Sequence, residues 1–296
     1  MLWDYIVVGG GLAGSVVFNS LLEFNNALKI LVIEAGPNVN DREDSSGPTR
    51  QTRLGVTSTG TMPARREIAA AVYSLDGITV LTDTLVEKVL LKQSSCSIPA
   101  AHGVRLTNGT EIRGREFILS AGAIRTPHLS MLSGIGPVDE LAKRDIDVLI
   151  ESPEVGKNFA DHTLAAFVWK YGWGTPADFL VSTTVPKDGL ATAIEIDEGV
   201  APDPEQHPLL KQNRTFIEHV YQYFASSDGS VVEFAATGLL PTARGSITLA
   251  SKNISDQPVI DPNYLGTEVD RYGFRKGLRL QIGFAGSNKT IISRES

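Results

Sequence analysis

The stretch that most constrains this chain is Asp4-Tyr5-Ile6-Val7-Val8-Gly9-Gly10-Gly11-Leu12-Ala13-Gly14, together with Ile30-Leu31-Val32-Ile33-Glu34-Ala35-Gly36. Ile6 to Val8 predict a short buried strand and Ser15 to Phe24 a helix, joined by three glycines at the G-x-G-x-x-G spacing. Gly9 allows a tight strand-to-helix turn, Gly11 lets a pyrophosphate approach the backbone, and Gly14 lets the helix pack closely on the strand. Free N–H groups and the positive end of a helix dipole then face the phosphates. A second apolar strand, Lys29 to Ile33, ends in Glu34, about twenty residues past the glycines, where a carboxylate accepts hydrogen bonds from an adenosine ribose. The order of strand, glycines, helix, strand and acid predicts an adenine dinucleotide with an unphosphorylated ribose, NAD or FAD. Phe18 stands one helical turn after Gly14, where close packing favours a small side chain, and predicts a looser helix–sheet fit.

The 296 residues are 42% hydrophobic and 21% charged, the balance of an ordinary globular chain with room for two domains. A net charge of -7 argues against nucleic-acid or anionic-membrane partners, which need a basic patch. Cys96 is the one cysteine, so no intrachain disulfide and no cysteine-type zinc site can form, and it reads as an incidental thiol. The nucleotide strand begins almost at Met1, which leaves no room for a signal peptide, and no apolar run is long enough to span a bilayer. The expected location is cytoplasmic.

Along the chain, Asn38 to Thr61 is polar and aperiodic and reads as loop, and Pro63 to Tyr73 as a helix. Strands are expected at Ile78 to Leu81 and Leu85 to Leu91. Asn108-Gly109 predicts a hairpin turn between Gly103 to Leu106 and Glu111 to Ile112. Glu116 to Ser120 reads as a separate buried strand running into Ala121-Gly122-Ala123, where an α/β sheet places ligands. The next helix is expected to start at Thr126-Pro127 and to stop at Ser133-Gly134, with a short helix over Val138 to Arg144 after it. Beyond 146 come a strand at Val148 to Ile150, a loop at Glu154 to His162, and a surface excursion at Asp178 to His207. Strands at Val231 to Leu240, Gly245 to Ala250 and Pro258 to Tyr264 follow, then a helix at Glu268 to Leu280 and a tail at 286–296. His162 reads as a structural loop histidine. His102, His128, His207 and His219 lack metal-ligand spacing.

Gly122-Ala123-Ile124-Arg125-Thr126-Pro127-His128-Leu129-Ser130-Met131-Leu132-Ser133-Gly134-Ile135-Gly136-Pro137 resembles the second signature of the glucose-methanol-choline (GMC) flavin oxidoreductases, departing chiefly at Ser130. Val155 to His162 is similar to that family's V-G-x-N-x-x-D-H segment, and Arg244 to Leu249 with Pro258 to Tyr264 to its substrate-domain sheet. The resemblance implies FAD rather than NAD. It also implies an α/β fold in which an FAD-binding Rossmann-like domain, residues 1–145, is joined to an antiparallel-sheet substrate domain of α+β type, residues 146–285. By position, Gly9, Gly11 and Gly14, with Leu12 and Ala13, would cradle the pyrophosphate, and Glu34 and Ala35 would hold the ribose. The backbone of Val86 would contact adenine, and Ala121 and Gly122 would lie close to the cofactor. The implied substrate is a small-molecule alcohol or secondary metabolite, oxidised at a CH–OH group. Asp161 and His162 would be structural or near-flavin residues.

Members of the family carry a glycine-serine-rich segment over the flavin where this chain has only residues 38–61. They also carry a C-terminal segment supplying a catalytic His and its His or Asn partner. Both domains are therefore expected to be incomplete, the chain is identified as a truncated member, and no catalytic residue is assigned. A positioned base gives about 10²- to 10⁴-fold in rate, so impaired oxidation is expected. The alternatives are a catalytically silent FAD-binding fragment and a non-redox lyase or cyclase on the same scaffold.

Overall fold

A computed structural model describes residues 2–37, 72–94, 97–170, 179–222 and 231–285. The polar stretch from Asn38 to Thr61, the helix expected over Pro63 to Tyr73 apart from its last two residues, Cys96 and the tail 286–296 lie outside them. The chain divides into two compact units, Met1–Phe159 with Ser246–Asp261, and Ala160–Gly245 with Pro262–Ser296.

The first unit is built on a six-stranded sheet. Its strands are β1 (Trp3–Val8), β2 (Ile30–Ile33), β3 (Ile78–Leu81), β4 (Val86–Ser94), β5 (Ser97–Leu106) and β6 (Glu111–Leu119), in the order β3-β2-β1-β6-β5-β4. Ile6 and Val7 are completely buried and every residue of β2 is buried, as expected of parallel strands covered on both faces. Helix α1 (Leu12–Phe24) crosses between β1 and β2. Phe18 is 1% exposed and packs with Val7, Ile30 and Val32, so it fills the helix–sheet layer instead of loosening it.

β6 is one strand where the sequence predicts two. Its first residues pair antiparallel with β5 (Gly103↔Arg113, Arg105↔Glu111), and its later ones pair parallel with β1 (Tyr5↔Glu116, Val8↔Leu119). Gly114 marks the change, because a Cβ there would stand 2.9 Å from Ile6 Cδ1. One continuous strand thus joins the parallel nucleotide sheet to an antiparallel hairpin.

Helix α2 (Gly122–Leu132) begins four residues before the predicted Thr126, with Pro127 inside it. Proline there forfeits the hydrogen bond to the Ala123 carbonyl, which local signals read as a helix start. The added turn is held by tertiary contact instead: Arg125 in it donates to the Ile254 carbonyl at 2.7 Å. Strand β7 (Ile135–Gly136), helix α3 (Val138–Ala142) and strand β8 (Ile150–Glu151) complete this segment, β8 falling two residues later than expected.

A single cut at residue 145 does not describe how the chain divides. The hairpin expected in the second domain pairs Ser246–Thr248 with Val259–Asp261 and packs in the first unit. Ile247 N–H donates to the Gly156 carbonyl at 2.6 Å, and Leu249 N–H to Glu140 Oε1 at 2.8 Å. Arg144 donates from Nε and Nη2 to the Leu249 carbonyl at 3.1 and 2.8 Å. Gly156 (φ +83°) permits this approach, since a Cβ would collide with the Ile247 carbonyl.

The second unit holds a four-stranded antiparallel sheet of β9 (Leu164–Lys170), β10 (Phe179–Thr183), β11 (Ile217–Gln222) and β12 (Val231–Gly238), ordered β10-β11-β12-β9. The hairpin strands of the first unit are accordingly β13 (Ser246–Thr248) and β14 (Val259–Asp261). Helix α4 (Lys187–Glu198) and β10 occupy what reads as a surface excursion over Asp178 to His207. Leu190, Ala193 and Ile194 form the buried stripe of α4 at i, i+3, i+4, a signal diluted by the acidic residues around it. Asp197 then accepts the Glu268 and Val269 N–H groups at 2.7 and 2.8 Å, capping the start of α5 (Glu268–Ala285).

Helix α5 lies on the face of β11 that carries Ile217 and Tyr221. Tyr221 meets Phe284 edge to face at 5.3 Å, and Gly277 sits against Ile217, where a Cβ would be 2.8 Å from Cγ2. Gly277→Leu is expected to destabilise the chain by about 1–3 kcal/mol through overpacking, read as a lower urea midpoint. Among the described residues no helix is long and apolar enough to cross a membrane, and no group of three His, Cys, Asp or Glu residues could hold a metal.

Candidate cofactor site

A cleft of about 870 Å³ opens in the first unit at the carboxyl ends of β1, β2 and β6, the position where open α/β sheets bind ligands. Gly9, Gly11, Leu12, Ala13, Glu34, Ala35, Val86, Ala121 and Gly122 all line it. Gly14 does not. It lies behind the glycine turn, where a Cβ would collide with the Gly9 carbonyl and stand 2.9 Å from Ser120 Oγ.

Gly9 (φ +104°) donates its N–H to the Ile33 carbonyl at 2.8 Å, and a Cβ on it would run into the backbone carbonyl of Ser120. Gly11 is different: nothing lies within 4 Å of where its Cβ would be, so the missing side chain leaves open cleft. Gly11 also caps α1, and the earliest intrahelical bond runs from Ser15 N–H to its carbonyl at 2.9 Å. The N–H groups of Leu12 and Ala13 therefore have no helical acceptor.

Neither α1 nor α2 has a side-chain cap or an acidic residue in its first turn. Gly122 (φ +82°), at the start of α2, also faces open space. Two helix N-termini without side-chain caps thus face one cleft, an arrangement suited to an anion such as a diphosphate.

Glu34 is held before any ligand arrives. Its Oε2 accepts the Gly10 N–H at 2.8 Å and its Oε1 the Gly36 N–H at 2.7 Å, which leaves each oxygen a lone pair for a hydroxyl. Glu34→Gln places an amide NH₂ against one of these N–H groups. Because hydrogen bonds to charged groups contribute about 1.5–3 kcal/mol, an FAD titration is expected to show roughly 10- to 100-fold weaker binding.

The end of the cleft near β4 is apolar, formed by Leu85, Val86, Leu129 and Ile254. Val86, Leu129 and Ile254 are each at most 3% exposed.

Two participants escape a reading of the sequence. Ser120 donates its Oγ–H between the Gly9 carbonyl at 2.9 Å and the Val8 carbonyl at 3.2 Å, joining β6 to the glycine turn; its only signal is its place before Ala121-Gly122. Arg125 lines the cleft, and its Nη1 reaches His128 Nδ1 at 3.1 Å. Burial, with the Arg125 charge second, pulls His128 down to about 4, so the ring is neutral near neutral pH. Nδ1 then accepts from Arg125 and the ring proton sits on Nε2. His162 is exposed in the second unit, where the neighbouring Asp161 accepts Tyr264 O–H at 2.6 Å.

The glycine turn, the acid-tipped β2 and the cleft over the parallel sheet define a dinucleotide-binding α/β protein, and the residues present fit FAD in cradle, ribose acceptor and apolar end. A family model described as GMC oxidoreductase matches residues 62–164. GMC-type oxidoreductase acuG of Aspergillus aculeatus is 32% identical over 265 residues, covering 79% of this chain and 49% of that protein. The chain belongs to the GMC oxidoreductases, FAD-dependent flavoenzymes, and spans about half the length of this relative. An alcohol dehydrogenase (acceptor) of Pseudomonas putida is 33% identical over 181 residues, covering 56% of this chain and 32% of that one. A solved structure of a formate oxidase variant from Aspergillus oryzae superposes with a TM-score of 0.75 over 99% of this chain and 83% of the other. At 16% identity that likeness is one of fold alone.

Proposed function

We propose that this chain binds FAD in the cleft of its first unit and serves a GMC-type oxidoreductase that oxidises the CH–OH group of a small-molecule alcohol. One observation carries the binding half: two uncapped helix N-termini and a pre-oriented carboxylate converge on one cleft beside an apolar wall. In this reading the diphosphate meets the N–H groups at Gly11 to Ala13, with Gly14 packing behind them, and Ala121 and Gly122 close on it from α2. Glu34, beside Ala35, accepts the ribose hydroxyls, and the adenine lies against Val86. Bound FAD supplies a hydride acceptor; the residues named here bind and orient it and keep water from its adenosine half. The resemblance to an alcohol dehydrogenase supports the substrate class.

A second reading, an FAD binder with little turnover in the 296-residue polypeptide, is favoured by the charges at the cleft. Among the described lining residues the charged side chains are Glu34 and Arg125, the first tied to Gly10 and Gly36 and the second to Ile254. In this reading Glu34 is taken up by the ribose and Arg125 has no lone pair to offer, so neither serves as general base.

The polypeptide, loaded with FAD, should be mixed without oxygen with a panel of primary and secondary alcohols. Yellow protein that stays yellow is the expected result for this polypeptide, and bleaching at rates ordinary for an enzyme overturns the second reading. Turnover of a compound without net oxidation, still requiring FAD, would point to a lyase or cyclase. Failure to retain FAD at all overturns the binding assignment.

A further inference from the structure

The apolar end of the cleft is closed by a residue from far along the chain. Ile254 lines the cleft and is 2% exposed, yet it lies 129 positions after Arg125. The turn that carries it, Ser251 to Asp256, is tied mostly to itself. Ser251 Oγ–H donates to Asp256 Oδ2, Asn253 Oδ1 accepts the Ser255 N–H at 3.0 Å, and the Asn253 carbonyl accepts the Asp256 N–H at 3.0 Å.

Among the described residues, the hydrogen bonds from this turn to the rest of its unit come from Arg125. Its Nη1 donates to the Ile254 carbonyl at 2.7 Å and the Asp256 carbonyl at 3.2 Å. The Lys252–Asp145 ion pair, at 3.6 Å with both partners exposed, adds little. Arg125 is itself steadied by His128, which is 1% exposed and accepts from the same Nη1. Leu129, one residue on, presents its side chain to the cleft. The cation thus couples two walls of the apolar end: α2, on which it sits, and the turn bearing Ile254.

We propose that Arg125, backed by His128, is a positioning residue that sets the seat of the adenine ring by holding Ile254 against the cleft. The proposal rests on the FAD reading. What Arg125 holds in place is an apolar wall, so its loss weakens every adenine-bearing ligand by a similar factor, whatever phosphates the ligand carries. A direct contact of the guanidinium with phosphate would instead produce a loss that grows with phosphate charge.

The test uses the full chain and its Arg125→Met, Arg125→Lys and Ile254→Val variants, each titrated calorimetrically with adenosine, ADP and FAD, and unfolded without ligand. Arg125→Met should weaken all three ligands by about the same factor, roughly tenfold. Arg125→Lys should not restore them, because the lysine side chain is one bond shorter and its ammonium stops short of the place from which Nη1 reaches two carbonyls and the imidazole. Ile254→Val, which trims the wall and leaves the latch, should give a smaller loss with the same pattern.

Unchanged adenosine affinity in the folded Arg125 variants overturns the proposal, even if their unfolding midpoint drops. So does a loss that rises from adenosine to ADP. A wild-type chain that binds none of the three overturns the FAD reading itself, whereas wild-type binding with indifferent variants overturns only the latch.

Discussion

Gly9→Ala is expected to abolish FAD retention and to destabilise the protein by about 2–6 kcal/mol. The backbone at Gly9 sits at φ +104°, outside the range an alanine adopts without strain, which costs on the order of 1–3 kcal/mol. The added methyl also runs into the carbonyl of Ser120, which cannot turn aside because Ser120 N–H is bonded to the Val8 carbonyl at 2.8 Å. Overpacking against fixed backbone costs a further 1–3 kcal/mol or so. Urea unfolding beside an FAD titration reads both effects. Gly11→Ala is the informative contrast, because its methyl would enter open cleft. It should cost about 1 kcal/mol as a poorer helix cap and yet weaken FAD binding clearly. A Gly9→Ala protein as stable as the parent would refute the geometry of this turn.

Acid should unfold the chain earlier than its carboxylates alone dictate. Burial, with the Arg125 charge second, lowers His128 from 6.5 to about 4 in the folded state, against a smaller opposing pull from Asp256. Between those values the unfolded chain binds the proton and the folded chain does not, so stability is lost as pH falls from 6.5 towards 4. At 1.36 kcal/mol per unit, the interval from 6.5 to about 4 amounts to about 3 kcal/mol. His219, also lowered by burial, acts in the same direction. Comparing wild type with His128→Gln in denaturant at several pH values between 7.5 and 4 isolates the contribution. The wild type should lose about 3 kcal/mol more than the variant across that window. Parallel pH profiles would show that His128 is not held neutral.

The strands, the glycine turn and the acid of the nucleotide half were legible because each signal is local. A three-residue apolar run, a glycine at a required positive φ and a carboxylate at a strand end need no distant partner to be recognised. Gly9, Gly11 and Glu34 accordingly lie at the cleft, while Gly14 serves the close packing that its spacing predicts. The misreadings share a different cause. Pro127 looked like a helix start because its missing N–H is a local fact, whereas the turn before it is held by a carbonyl 129 positions away. Phe18 looked too large for a helix that packs closely, but Val7, Ile30 and Val32 supply a layer that takes it. Helix α4 hid because three buried residues among acidic neighbours carry a weak periodicity.

By itself the amino-acid sequence determined the dinucleotide turn, the ribose acid and the family signature, since these depend on spacings of a few residues and on backbone conformations only glycine tolerates. The tertiary structure alone decided that β13 and β14 pack in the first unit and that Ile254 walls its cleft. Those contacts join residues about ninety to 130 positions apart, through the Gly156 carbonyl, Arg125, Arg144 and Glu140. Burial and hydrogen-bond satisfaction select among such pairings only once the chain has closed on itself.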